Sequence, residues 1–192
     1  MPFLIRFLLF ASIALILGFG SAWRAVNHGF FATATRYGPW AFWFREGTSD
    51  ADPYTLAHIA RSGDLPITAA SAMTFTATRD SAGSRLWGDC SYEIRGNSVP
   101  ALWWELAAFK STGDVMSSKT GRSSFSSANI LTAPDGSFKI RLSPEAQPGN
   151  WLPESRGDRV ILRLSILRPL NPDNLLKADS SDLPDISLVE CS

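Results

Sequence analysis

From Met73 onward the chain alternates apolar and polar residues with a period of two. Met73, Phe75 and Ala77 interleave with Thr74, Thr76 and Thr78, and Cys90, Tyr92 and Ile94 with Ser91, Glu93 and Arg95. Phe138, Ile140 and Leu142 do the same against Lys139 and Arg141, as do Val160, Leu162, Leu164 and Ile166 against Arg159, Arg163 and Ser165. Side chains alternate across a strand, so each run has one buried and one wet face, the pattern of antiparallel sheets. Turn chemistry separates the runs: Ser111-Thr112-Gly113-Asp114 after the strand at Ala101 to Phe109, and Ala133-Pro134-Asp135-Gly136 before Phe138. Roughly seven to nine short strands predict a mainly β fold, an antiparallel β-sandwich of jelly-roll-like character. The run at Ala101 to Phe109 is apolar on both faces, with Trp103 and Glu105 on one side and Leu102, Trp104 and Leu106 on the other. It is expected to be central or to lie beneath the helix before the sandwich.

That helix is signalled by Asp52-Pro53 ahead of YTLAHIARSG, an acidic N-cap with Pro at the first helical position and Gly63 past the end. It should run from Pro53 to Ser62 and dock through Leu56, Ile59 and Ala60. At the other extreme, Phe7 to Trp23 is an uncharged run of 17 residues. It makes roughly 25 Å of helix, and with Phe3 to Ile5 it approaches the roughly 30 Å of a bilayer core. Residues 1–23 are therefore read as a transmembrane anchor, 24–51 as a linker, and 52–192 as the exported sandwich domain including the helix at 53–62. The alternative is a secretory signal cleaved near Gly20-Ser21-Ala22. Arg6 before the span and Arg24 and Arg36 after it give a weak charge bias, and a basic-then-apolar start favours an N-terminus inside. Trp23, Trp40 and Trp43 follow the span and suit either the headgroup layer or the core. The tail from Asn171, with five acids against Lys177, should be mostly loop ending in a strand around Ile186 to Glu190.

Composition narrows the function classes. Of 192 residues, 18 are basic and 18 acidic, with no basic stripe, so nucleic acid is not an expected partner. Two cysteines, Cys90 and Cys191, have no CxxC spacing; in an oxidising compartment they would form a disulfide pinning the tail, and otherwise they are unrelated thiols. With His28 and His58 alone, no three-histidine metal site forms from one chain, and neither metal nor cofactor is expected. No GxSxG, HExxH or Gly-rich phosphate loop is present. Lys119-Thr120-Gly121 matches a β-lactamase tripeptide without its partner Ser-x-x-Lys, and Arg156-Gly157-Asp158, an adhesion-type tripeptide in name, reads as an ordinary exposed turn.

Two sets of residues remain as site candidates. Asp89 and Glu93 share one strand face, and Glu105 sits beside Trp103 and Trp104, so these carboxylates are the catalytic candidates of an envelope hydrolase acting on a glycan or amide. Aromatics with polar neighbours suit a binding surface better: Trp103, Asn150 and Trp151 are the ligand-binding candidates, with Trp87 and Trp104 as further lining. The reading preferred is a binding or structural module, with an envelope glycan or envelope protein as its partner.

Several motifs also resemble a known family. Gly38-Pro39-Trp40, Asp52-Pro53-Tyr54-Thr55, Thr76-Ala77-Thr78-Arg79-Asp80-Ser81, Trp103-Trp104-Glu105-Leu106 and Ser127-Ala128-Asn129 are among them. Ala133-Pro134-Asp135-Gly136-Ser137-Phe138, Pro148-Gly149-Asn150-Trp151-Leu152-Pro153, and Leu183-Pro184-Asp185-Ile186 followed by Cys191 complete the set. Together they resemble the short, membrane-anchored members of the domain-of-unknown-function 1214 family, Asn-Trp-Leu-Pro being the most specific element. The resemblance implies a proteobacterial envelope protein whose β-sandwich faces the periplasm; with the N-terminal anchor this reads as a single-pass inner-membrane protein. Longer members join the sandwich to a second, upstream domain, which this sequence is expected to lack. No catalytic residues carry over from that family.

Overall fold

A computed structural model of the chain describes residues 2–28, 35–43, 47–62, 67–116, 121–177 and 183–191. Within them lie α1 (Pro2–His28), β1 (Thr35–Tyr37), β2 (Trp40–Phe42), α2 (Pro53–Ser62), β3 (Ala72–Ala77), β4 (Cys90–Asn97) and β5 (Ala101–Lys110). They continue with β6 (Ser124–Ser126), β7 (Ser137–Ser143), β8 (Asn150–Pro153), β9 (Val160–Pro169), α3 (Pro172–Leu175) and β10 (Asp185–Cys191). The strands form two sheets, in the orders β1-β2-β3-β9-β5-β6 and β10-β4-β7-β8. Their inner faces make one core, with Trp40, Phe75, Trp104, Leu106, Leu162 and Leu164 from the first sheet against Tyr92, Ile94, Ile140, Leu142, Leu152 and Ile186 from the second. The architecture is a β-sandwich, and the period-two reading of the long strands holds.

Three features depart from the expectation. Residues 35–43, read as part of a linker, add β1 and β2 to the edge of the six-stranded sheet. Tyr37 pairs with Trp40 across a turn at Gly38-Pro39, where Gly38 takes φ 59°. Trp40 is thereby core rather than headgroup-facing, whereas Trp23 stays 62% exposed. Second, β7 and β8 pair parallel, Ile140 opposite Asn150. Parallel pairing ordinarily needs a long crossover. Here β8 is only four residues long, and Pro148 and Gly149, the latter at φ 83°, turn the chain back within a short loop. Third, α2 has the expected bounds but packs on α1, using Thr55 and Ile59 as its buried positions while Leu56 and Ala60 face outward. Thr55 is buried because its polar groups are satisfied: its N–H and hydroxyl donate to the Asp52 carboxylate at 3.1 and 2.6 Å.

β5 is flanked by β9 and β6 and buries Trp104, Leu106 and Ala108, while Leu102 is 64% exposed near its start. The helix α1 contains an apolar segment, Phe3–Val26, that is long and apolar enough to cross a membrane; a signal sequence passes the same test. His28 is its last residue. Cys90 and Cys191 are joined by a disulfide that ties the end of β10 to the start of β4.

Candidate functional site

The outer face of the second sheet forms the floor of a broad open surface, which the β1–β2 turn of the first sheet borders on one side. The outward residues of β4 and β7 are Glu93 and Arg95 opposite Arg141 and Lys139. Expected on a solvated face, Glu93 is instead buried, because three cations cover it. Arg95 donates to it through a short hydrogen bond, and Lys139 Nζ and Arg141 Nη2 lie 3.3 and 3.2 Å from its Oε2. Burial works to raise its pKa, yet the hydrogen bonds and charges of Arg95 and Lys139 win and hold Glu93 below the usual carboxylate range. With one carboxylate among three cations the cluster keeps a positive excess.

This cluster floors a groove of about 920 Å³ whose lining includes Arg95, Lys139 and Arg141. One wall is the Gly38-Pro39 turn with the segment at Leu183, Pro184 and Asp185, held together by Trp40 Nε1 donating to the Pro184 carbonyl at 2.7 Å. Gly96 makes that approach possible, since a Cβ there would meet the Phe138 ring at 2.9 Å and Pro184 at 3.2 Å. The other wall is Leu131 and Ala133 with Gln147 to Asn150. An adjoining, more open depression of about 540 Å³ shares Arg95, Arg141 and Asp185 and extends to Ser187 and Val189. The two depressions together are open and largely apolar in their walls, with Arg95, Lys139 and Arg141 as the cations and Glu93 and Asp185 as the acids of the lining.

The sequence candidates are distributed over the whole molecule. Asn150 is 6% exposed and borders the groove, but its amide is committed to the protein. It accepts from Leu131 N–H and donates to the Leu131 and Lys139 carbonyls at 2.8, 2.8 and 2.9 Å. Trp151 is half-buried beside Arg141, with its indole N–H donating to the Ser143 carbonyl at 3.0 Å. Trp103 projects from the outer face of the other sheet, Trp104 is in the core, and Trp87 is 39% exposed beneath the Arg159 guanidinium. These aromatics do not share one concave surface. Glu105, on the same outer face as Trp103, accepts from Ser124 Oγ at 2.5 Å. Asp89 accepts from Gly157 N–H at 3.1 Å, beyond the start of β4. Glu93 and Glu105 thus lie on opposite faces of the sandwich, and no carboxylate pair assembles from the three. Gly157 belongs to an ordinary turn, and Arg156 pairs with Glu145 at 3.1 Å; Lys119 and Thr120 lie outside the described residues. Among the described residues, no group of three His, Cys, Asp or Glu side chains gathers to hold a metal.

Sequence reasoning passed over Arg95, Lys139 and Arg141, which alternation alone marks only as wet positions. A better signal was the set of motifs, because Gly38-Pro39-Trp40, Ser137-Phe138, Pro148-Gly149-Asn150 and Leu183-Pro184-Asp185, far apart in the chain, all line the groove. Glu154, directly after Pro153, was also missed. Both of its carboxyl oxygens are buried with no hydrogen-bond partner among the described residues. Burial, and secondarily the charge of Asp89, push its pKa up to about 9, so it is a neutral acid at neutral pH.

No curated protein matches the chain. Among solved structures, the VPA0106 protein of Vibrio parahaemolyticus matches with a TM-score of 0.61 at 17% identity, over 95% of this chain and 45% of that one. A second, an uncharacterised protein from Burkholderia cenocepacia, matches with a TM-score of 0.49 at 17% identity, over 91% of this chain and 42% of that one. The chain therefore spans less than half the length of these structures, and the Vibrio protein shares its fold. The family of proteins of unknown function DUF1214 matches residues 71–171, the stretch from β3 to the end of β9 that builds most of both sheets and the groove floor, and the chain belongs to that family.

Proposed function

We propose that this chain is an envelope binding module, carried on a single inner-membrane span with its sandwich in the periplasm, and that its groove takes an extended acidic glycan. The observation that carries the reading is the cluster of Arg95, Lys139 and Arg141 over one buried Glu93 in a groove of about 920 Å³. Guanidinium and ammonium groups recognise carboxylate or sulfate substituents, and a large open groove accommodates a polymer better than a compact metabolite. The apolar helix α1 supports the anchor, and the Cys90–Cys191 disulfide supports an oxidising, exported compartment. The acidic-glycan assignment is tested by tryptophan fluorescence of the detergent-solubilised full chain, titrated with oligogalacturonate and with a neutral glucan of equal length. Oligogalacturonate should bind with an affinity that falls as salt rises, and Lys139→Ala with Arg141→Ala should abolish it. Equal response to both glycans, or binding untouched by the double variant, would overturn the assignment.

A further inference from the structure

The outer face of the six-stranded sheet carries a second cavity, of about 290 Å³, on the opposite side of the sandwich from the groove. Arg36 of β1, Ala41 of β2, Thr76 of β3 and Ile161 of β9 form its floor. They face outward because their strand neighbours Phe42, Phe75, Ala77, Val160 and Leu162 are buried in the core. Arg79, Arg85 and Arg159 extend the lining, so among the described residues four guanidinium groups and no carboxylate border the cavity. No ion pair to any of the four occurs among the described residues. Arg79 and Arg159 are nevertheless held, the first by donating to the Gly83 carbonyl at 2.6 Å and the second over the Trp87 ring at 5.4 Å. Gathering like charges around a concavity costs free energy unless an anion enters it.

The position of the cavity narrows the choice of anion. His58 of α2 forms part of its wall, stacked on Trp43 with ring centroids 3.8 Å apart. The same imidazole places Nδ1 3.2 Å from the carbonyl oxygen of Val26, the last residue of the apolar segment. Arg61, one turn along α2, lies 4.7 Å over the Trp23 ring. An indole at the end of an apolar helix and cations beside it are the groups found at headgroup depth.

We propose that this cavity is a phosphate site, in which the four arginines, with the Thr76 and Thr78 hydroxyls beside them, take the phosphate of an anionic phospholipid headgroup; free inorganic phosphate is the other source of the same chemistry. Charge-assisted, bidentate contacts from guanidinium groups match a phosphate diester or monoester, whereas a zwitterionic phosphocholine headgroup brings, beside its phosphate, a quaternary ammonium that the site repels. The lipid source rests on the membrane placement proposed above, while the phosphate chemistry does not.

Native mass spectrometry of the full chain in detergent, with phosphatidylglycerol or phosphatidylcholine added, tests the site. Phosphatidylglycerol should be retained over phosphatidylcholine by about tenfold, and Arg85→Gln with Arg159→Gln should erase the preference. Arg36→Gln, at an exposed position on an edge strand, serves as the second variant and should weaken it in the same direction. In the other arm, inorganic phosphate is titrated against chloride at equal ionic strength with thermal unfolding as readout. A phosphate-specific rise in melting temperature, lost in the variants, without lipid preference assigns free phosphate; lipid retention that phosphate does not displace assigns the headgroup. Retention unchanged by all the arginine variants, or no response to either probe, would overturn the proposal. Carbonate extraction of native membranes reports separately on whether α1 spans, so failure of the anchor is distinguishable from failure of the site.

Discussion

The side chain of Asn150 binds the backbone of Leu131 twice, accepting from its N–H and donating to its carbonyl, both at 2.8 Å. This is the exchange that a paired strand residue makes, performed by an amide, and it fastens the groove wall at residue 131 to β8. Asn150→Ala removes three hydrogen bonds at a buried position and strands the Leu131 groups, so unfolding free energy should drop by about 2–4 kcal/mol. Asn150→Asp should fail to restore it, because a carboxylate cannot donate to the carbonyls of Leu131 and Lys139. Urea unfolding of the three proteins checks both statements.

Removing the buried charge at Glu93 should uncover repulsion among its three partners. Glu93→Gln is expected to destabilise by less than the ~3–5 kcal/mol of a fully buried pair, since Arg95 and Lys139 remain largely solvated. Glu93 ionises below its ordinary range when folded. Its stabilisation is therefore present above the unfolded carboxylate range and disappears as pH falls through the folded value. Acid unfolding of the glutamine variant should begin from a lower stability and lose less on the way down.

Glu154 has the opposite sign. Its ordinary value is 4.5 and its folded value about 9. Between those values the folded chain holds a proton that the unfolded chain has released, so stability falls as pH rises, by up to about 1.4 kcal/mol per unit. Glu154→Gln keeps the shape and removes the titration; denaturation midpoints at about pH 5.5 and about pH 8.5 should converge in the variant and diverge in the parent. A parent whose stability is flat across that window would show that Glu154 ionises normally.

The disulfide closes a loop between residues 101 apart in sequence. Cys191→Ser should cost about 2–5 kcal/mol and free the end of β10 from β4. Limited proteolysis of the oxidised and reduced chain should show new cleavage within 185–191 only after reduction.

How far the sequence discloses this molecule depends on segment length. β4, β5, β7 and β9 are long enough for a period of two to declare itself, and Asp52-Pro53 declares α2 through its cap. β1, β2 and β6 have three residues each, too few for any period. The buried face of α2 was misread because Thr55, polar by composition, is satisfied by Asp52 and goes inside, while Leu56 goes out. The parallel partner β8 is hidden by Pro153 and by a loop too short to suggest a crossover. At the site, Arg95, Lys139 and Arg141 look like solvated alternates until register sets them around one carboxylate, and register is a property of two strands rather than of either one.

The strand lengths have one further consequence. The membrane anchor proposed for α1 would confine copies of the domain to a surface, where encounters between sheet edges are frequent. Each edge here is poor at recruiting a neighbour. β1 and β6 offer three residues, β8 offers four and ends in Pro153, and β10, the longest, carries a register shift between Leu188 and Glu190. Among the described residues the sandwich therefore presents no long flat ladder for a second copy to extend.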